Sequence, residues 1–406
     1  MTPTLSRRAT LALAAAVIAA ASTGLAHAQK KYDIGATDTE IKIGNLAPYS
    51  GPVSAYGTIG KAAGAYFAKV NAEGGVNGRK INYISLDDTY TPSKTVEQAR
   101  KLVEQEEVLL MFLPIGTSHN QAIQRYMNAK KVPQLFVGSG ASRWGDIKNF
   151  PWTLGWQPTY HSEGKVFGQH ALAENPNAKI AVLMQNDDFG KDFHKGVLDG
   201  LGEKAKTNIV SHQTFEVTDP TIDSQIVSAR GAGADVLIIL ATPKFSAMAI
   251  RKTAEMGWKP SRYVASVSVS VSSVLKPAGL ENAVGVISAT YFRDPTDPAS
   301  QGTRELNDYL AFMKQYYPAG DPNDSLNLIG YSSAQTLVQT LKQAGDDLTR
   351  ENVMKQSLNL SMTLPMLYPG IDVKTSPDDF FPIEKMQLIR FNGTRYEPLG
   401  RVFQGR

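Results

Sequence analysis

From residue 41 onward, short apolar runs alternate with longer stretches in which apolar residues recur at helical spacing. Residues 41–46, 80–86, 108–113 and 134–137 read as strands. Residues 59–71, 93–106 and 118–129 read as the helices between them. Gly74-Gly75-Val76-Asn77-Gly78 stops the first helix and turns the chain, and Thr91-Pro92-Ser93 offers a cap and a first-turn proline to the second. Strands alternating with helices of this length predict βαβ units and a parallel sheet.

The same grammar restarts after the Pro-, Gly- and Trp-containing stretch 150–158. Strands are expected over 179–184, 209–215, 235–240 and 262–267, with helices over 190–204, 221–231 and 245–257. The run Val236-Leu237-Ile238-Ile239-Leu240 has no polar alternation, as befits a strand covered on both faces. Helices over 303–316 and 328–344 follow, and the Pro-rich tail from Pro365 reads as irregular. No residue-level repeat accompanies the doubled pattern. The expected fold is α/β, with two Rossmann-like lobes. Open parallel sheets bind ligands beyond the carboxyl ends of their strands, so two facing lobes define one cleft. The loops after the strands are therefore the candidate site.

The N-terminus sets the compartment. Arg7 and Arg8 precede the apolar run 11–21, and Ala26-His27-Ala28 ends the segment with small residues at the positions a signal peptidase reads. This is the pattern of a secretory signal peptide over 1–28, with cleavage leaving Gln29 first. The run is too short to span a bilayer, and Ser6-Arg7-Arg8 leaves the twin-arginine route open beside general secretion. The chain has no cysteine, which removes disulfides, thiolate chemistry and a lipid anchor. Lys plus Arg number 42 against 38 Asp plus Glu; without Arg7 and Arg8 the excess is two, scattered without a basic stripe. No nucleic-acid partner is expected.

Three loops carry the candidate chemistry. They are 47–57 with Tyr49 and Tyr56, 114–120 with Ser118 and His119, and 138–142 with Ser139, Gly140 and Ala141. The first two run into helix N-termini, whose free N–H groups and dipole favour an anion, and Ser and Thr hydroxyls would complete a carboxylate clamp. Catalysis has little to stand on. There is no Gly-x-Ser-x-Gly elbow and no phosphate-binding Gly-x4-Gly-Lys loop. His119, His161, His170, His194 and His212 fall at no metal-ligand spacing, and Asp87-Asp88, Asp187-Asp188 and Asp346-Asp347 lack the alternating carboxylates of a calcium loop. No enzyme, cofactor or metal is expected.

The ordered set Ser50-Gly51-Pro52-x-x-x-Tyr56-Gly57, Asn71-Ala72-Glu73-Gly74-Gly75-Val76-Asn77-Gly78, Asp87-Asp88, Lys131-Val132-Pro133, Asn186-Asp187-Asp188-Phe189-Gly190 and Met256-Gly257 resembles the type I periplasmic binding proteins. The branch it is most similar to is the Leu/Ile/Val-binding components of branched-chain amino acid ABC importers. The resemblance covers the chain after the signal peptide. It implies two lobes joined by a three-strand hinge, a hinge closing on a small solute, a membrane permease as partner, and a monomer free in the periplasm. Lobe boundaries follow at 29–155, 156–282, 283–362 and 363–406, alternating between the lobes.

Carried over residue by residue, the family's carboxylate clamp falls on Ser118, His119, Ser139, Gly140 and Ala141, its aromatic wall on Tyr56 and Phe189, and further contacts on Thr242 and Phe245. One departure stands out. Amino-acid binders of this branch place an acid for the ligand's ammonium just after the strand near 262–264, where this chain reads Ala265-Ser266-Val267-Ser268-Val269-Ser270. A buried unpaired ammonium is costly. The expected ligand is therefore an aromatic or branched organic acid lacking an α-amine. A hydrophobic amino acid, and a sensing rather than a transport role, remain open alternatives.

Overall fold

The computed structural model describes residues 30–405, so the signal-peptide reading for 1–28 lies outside the described residues. The first lobe is a five-stranded parallel sheet. Its strands are β1 (Glu40–Ala47), β2 (Lys80–Asp87), β3 (Leu110–Phe112), β4 (Gln134–Val137) and β5 (Thr153–Gly155), in the order β2-β1-β3-β4-β5. Helices α1 (Gly57–Ala72), α2 (Pro92–Glu104) and α3 (Thr117–Ala129) make the crossovers. β1 pairs with β2 along its whole length, from Glu40↔Lys80 to Ala47↔Asp87, but with β3 only through Ile43↔Leu110 and Gly44↔Met111. β3 and β4 are buried at every position, because helices cover both faces.

The second lobe repeats that strand order. Helix α4 (Tyr160–Glu174) leads into β6 (Ile180–Gln185), α5 (Asp188–Leu201), β7 (Ile209–Phe215), α6 (Asp223–Gly231), β8 (Val236–Leu240), α7 (Pro243–Glu255), β9 (Ser261–Val264) and β10 (Ile287–Thr290). The sheet runs β7-β6-β8-β9-β10 in parallel. The chain then returns to the first lobe with α8 (Arg304–Tyr316), α9 (Ser325–Ala344) and α10 (Arg350–Ser357). Gly330 of α9 lies against the backbone of Ile59 on α1, which fixes this return. Two antiparallel strands, β11 (Lys385–Phe391) and β12 (Tyr396–Gln404), finish the second sheet beside β10. Among the described residues, no helix is long and apolar enough to cross a membrane.

Four differences from the sequence reading have physical causes. Helix α4 lacks a clear apolar stripe because it meets α5 through Gly164, Gly168, Gly196 and Gly200, where a Cβ would strike the opposite backbone. The tail beyond Pro365 is not irregular; β11 and β12 pair antiparallel there, and only β11 is largely buried. Strand β9 stops at Val264, and 266–268 is a single tight turn. Strand β10 belongs to the second sheet, so the chain leaves that lobe after Thr290 rather than near Asn282.

The three crossovers converge. Trp156, in the first, is 1% exposed and stacks on Phe292 of the second with ring centroids 6.1 Å apart. Its indole N–H donates to Thr336 Oγ1 on α9 at 3.0 Å. The second and third crossovers pair through the bridge Phe292↔Leu367, with Tyr368 N–H donating to Tyr291 O at 2.9 Å and Arg293 N–H to Met366 O at 3.0 Å. This aromatic and hydrogen-bonded knot is the hinge.

Candidate functional site

In a 2-1-3-4-5 sheet the strand order reverses between the first and third strands, and ligand clefts open at that point. Here the first lobe's switch lies between β1 and β3, and the second lobe's between β6 and β8. The loops leaving those four strands meet across the lobes. They enclose a cavity of about 20 Å³, lined on the first lobe by Tyr56, Tyr90, Gly116 and Thr117. Phe189, Thr242 and Val267 face them from the second lobe, and Gln157 and Tyr160 come from the first crossover. That volume holds about one water, so the lobes are closed. Two interlobe contacts mark the closure. Ser142 donates to Asp192 Oδ2 through its N–H at 3.0 Å and its hydroxyl at 3.1 Å, and the Tyr56 and Ser268 hydroxyls stand 3.4 Å apart.

On the first lobe, two acids shape the approach. Asp87 Oδ1 accepts the N–H groups of Tyr49 at 3.0 Å and Thr89 at 2.8 Å. Asp88, fully buried, accepts Tyr90 N–H at 3.0 Å and the Thr95 hydroxyl at 2.7 Å. They hold Thr89 and Tyr90 in left-handed backbone, φ 52° and 56°, which side-chain-bearing residues adopt at a cost of about 1–3 kcal/mol each. Tyr90 is thereby laid on the His119 ring, with centroids 4.0 Å apart. The next loop turns at Gly116, φ 102°, where a Cβ would collide with His119. Asn120 Nδ2 ties this loop by donating to Pro114 O and Gly116 O, both at 2.7 Å.

The expected clamp residues are placed one layer behind the cavity. Ser118 is half-buried beside the wall, and it is Thr117 that lines the cavity. The Ser139 hydroxyl is occupied by Thr117 Oγ1 at 2.7 Å, Trp144 Nε1 at 3.2 Å and Ala141 N–H at 3.3 Å. Gly140 O accepts Tyr160 N–H at 2.7 Å, which binds this loop to the first crossover. Ala141 is buried behind Ser139. His119 is 3% exposed, and neither ring nitrogen makes a hydrogen bond of good geometry. Burial lowers its pKa against the pull of the Asp88 carboxyl, whose own pKa burial raises.

On the second lobe, Asp187 caps α5 by accepting Gly190 N–H at 3.1 Å and takes Gln185 Nε2 at 2.6 Å; burial raises its pKa. Gln185 Oε1 accepts the Thr242 hydroxyl at 3.1 Å, which fixes Thr242 at the wall. Phe189 packs edge-on against Tyr160 with centroids 4.9 Å apart. Phe245 lies elsewhere: at the start of α7 it points into the second lobe's core against Phe215, 4.4 Å between centroids. So Tyr56, Phe189 and Thr242 are brought together, whereas Ser118, His119, Ser139, Gly140, Ala141 and Phe245 do not line the cavity.

The Ala265–Ser270 stretch, read from sequence as lacking an acid, meets one from another element. Glu163, in the first turn of α4, accepts Ser266 N–H and the Ser266 hydroxyl, both at 2.7 Å. Burial pushes its pKa up to about 8. Its carboxyl stands behind the loop, and what reaches the cavity is Val267.

A family model described as periplasmic binding protein matches residues 40–395. The chain belongs to the type I periplasmic binding proteins. Within that family it is 26% identical over 317 residues to the Leu/Ile/Val-binding protein homolog 7 of Brucella abortus, covering 75% of this chain and 77% of that one. A branched chain amino acid ABC transporter structure from Thermus thermophilus, with bound valine, superposes with a TM-score of 0.80 at 17% identity, covering 91% of this chain and 97% of that one. A fatty acid ABC transporter substrate-binding protein from Thermomonospora curvata gives a TM-score of 0.73 at 21% identity, covering 92% and 95%. This periplasmic binding protein is thus a solute-binding component of the ABC-transporter type, in a family of binding proteins rather than enzymes.

Proposed function

We propose that this periplasmic binding protein captures a small organic acid without an α-amine between its lobes and presents the closed form to a membrane permease. One observation carries the ligand class. Among the described residues no acidic side chain lines the cavity, and the stretch in which the resemblance calls for the ammonium's partner contributes only Val267 to the wall. The acids behind the wall are committed: Glu163 to Ser266, Asp187 to Gly190 and Gln185, and Asp88 to Tyr90 and Thr95. An ammonium there would be buried unpaired, at a cost of several kcal/mol. A carboxylate fares better, with the Thr117 hydroxyl and the N-terminus of α3 on one wall and apolar Phe189, Ile115 and Val267 around its body. The Thermus protein holds valine and the Thermomonospora protein is assigned to fatty acids, so side chains at the cleft select the ligand on this fold.

Closure follows from contacts that exist only when the lobes meet, so a ligand touching both walls shifts the population toward the closed form. Thermal unfolding with 4-methylpentanoate and 3-phenylpropanoate tests the reading. The acids raise the melting temperature with concentration, and Thr117→Val abolishes the rise. The reading is overturned by no rise with either acid, or by a leucine response that Thr117→Val removes.

A further inference from the structure

A larger cavity, of about 180 Å³, lies beside the cleft at the second crossover, on the far side of Ile329. Its walls are mostly apolar: Val269 and Val271 from the loop after β9, Leu326 and Ile329 from α9, and Ile389 and Tyr396 from the final strands. An apolar cavity of about 150 Å³ accepts a benzene-sized guest, so this one has room for a small ring or branched chain with a polar head. None of the ligand contacts carried over from the resemblance is on its wall.

The polar side of the cavity is unusual in its charges. Arg293 lines it, and its Nε is buried with no hydrogen-bond partner. Among the described residues the Arg293 side chain makes no ion pair, although leaving a charged donor unmet is costly. Asp294 and Asp297 line the same wall, half-buried. Each has one oxygen fixed by its own turn: Asp294 Oδ1 accepts Thr296 N–H and hydroxyl at 2.7 Å, and Asp297 Oδ1 accepts Ala299 N–H at 2.9 Å. A simple anion would meet two carboxylates, and a simple cation would leave the guanidinium unmatched. A zwitterion answers both.

We infer that this cavity is a second binding site, for a zwitterion with an apolar body. Its carboxylate takes the planar fork of Arg293, its ammonium faces Asp294 and Asp297, and its side chain lies on Val271, Leu326 and Tyr396. The site differs from the cleft in ligand class, because its wall offers both signs of charge and the cleft wall offers neither.

Calorimetric titration of the full mature chain with leucine, phenylalanine, 4-methylpentanoate and 3-methylbutylamine tests this. Leucine or phenylalanine binds the wild type, and Arg293→Met, with an unchanged melting temperature, weakens that binding roughly tenfold to a hundredfold. Val271→Phe fills the cavity and removes the same binding without touching a charge. Thr117→Val leaves it intact, and neither the amine nor the acid loses affinity in Arg293→Met. The inference is overturned if neither amino acid binds, if Arg293→Met binds them as the wild type does, or if Thr117→Val is the substitution that abolishes them. A cleft that takes no organic acid would sink the proposed function and leave this site standing.

Discussion

In the first lobe the loops around the cleft leave their strands through strained backbone: Thr89 and Tyr90 after β2, Leu113 after β3 and Phe136 within β4 all have φ between 52° and 56°. In the second lobe no residue other than glycine, among those described, has positive φ. The two sheets share one strand order, so topology does not explain the difference. In the first lobe buried side chains hold two of the cleft turns in place, the Asp88 carboxyl at Tyr90 and the Asn120 amide at Gly116. The second lobe offers relaxed side chains, Phe189, Thr242 and Val267, on ordinary strand-to-helix connections. Strain kept at a site is a form of preorganisation. A fixed half and a relaxed half suit a cleft that captures on one side and closes with the other.

The largest expected effect concerns the second lobe's buried acid. Glu163 has its pKa raised from 4.5 to about 8 by burial. Below pH 4.5 the group is neutral folded and unfolded alike. Between there and pH 8 the unfolded chain releases a proton that the folded chain keeps, so stability is greatest at the acid end and falls as pH rises. The loss is on the order of 4–5 kcal/mol across the window. Glu163→Gln keeps the shape and both contacts to Ser266 without a charge to bury. Urea unfolding at pH 5, 6.5 and 8 should show the variant flat where the wild type weakens. Parallel profiles would mean that the charge is accommodated and that the second lobe is not sensitive to it.

Next in size is a pair of substitutions that sets one lobe against the other. Asp88→Ala removes two buried hydrogen bonds and frees a strained turn, for a loss of about 3 kcal/mol. Asp187→Ala removes a helix cap and the bond from the buried Gln185 amide, but strains no backbone, for about 2 kcal/mol. Equal losses in chemical denaturation would erase the proposed asymmetry between the halves. A smaller effect, about 1 kcal/mol, is expected from Asp192→Ala, which deletes the Ser142 contacts that join the lobes. Its readout is shape: the ligand-free variant should have a larger radius of gyration by small-angle scattering, and an unchanged radius would show that closure rests elsewhere.

Much of this asymmetry is invisible in sequence. The βα alternation was legible because helix and strand periods are written in single side chains, and 134–137 and 209–215 were delimited as the structure has them. Tyr56, Phe189 and Thr242 came from the resemblance, which puts the family's contacts on loops after the strands, and all three line the cavity. Tyr90 was not legible, since its position depends on left-handed backbone held by Asp88, and nothing in Asp87-Asp88-Thr89-Tyr90 announces a φ angle. Ser139 offered a hydroxyl in the right loop, but only coordinates show three partners already on it. Ile329 reaches the wall from a helix of the returning chain, and Glu163 stands behind Ser266 from a residue about one hundred positions earlier. Such pairings belong to tertiary structure alone. Glu163 also shows how reading one stretch for a missing acid can overlook an acid delivered from another element.

The smallest stability effect concerns His119, and it bears most directly on why the first lobe is strained. The ring is buried against Tyr90, and neither nitrogen makes a hydrogen bond of good geometry. Burying polar atoms without partners costs about 1–3 kcal/mol, and exchanging them for apolar atoms of the same shape can be neutral or stabilising. His119→Phe should therefore leave the ligand-free protein as stable as the wild type, or more stable by about 1 kcal/mol. If the first lobe holds Tyr90 and His119 for the ligand's sake, the same substitution weakens organic-acid binding, because opening the lobes lets the imidazole meet a carboxylate that phenyl cannot. A gain in stability with a loss of affinity would identify the strain as functional. A gain in stability with affinity unchanged would make His119 a packing residue, and would leave Thr117 and the N-terminus of α3 as the anion's contacts on the preorganised lobe.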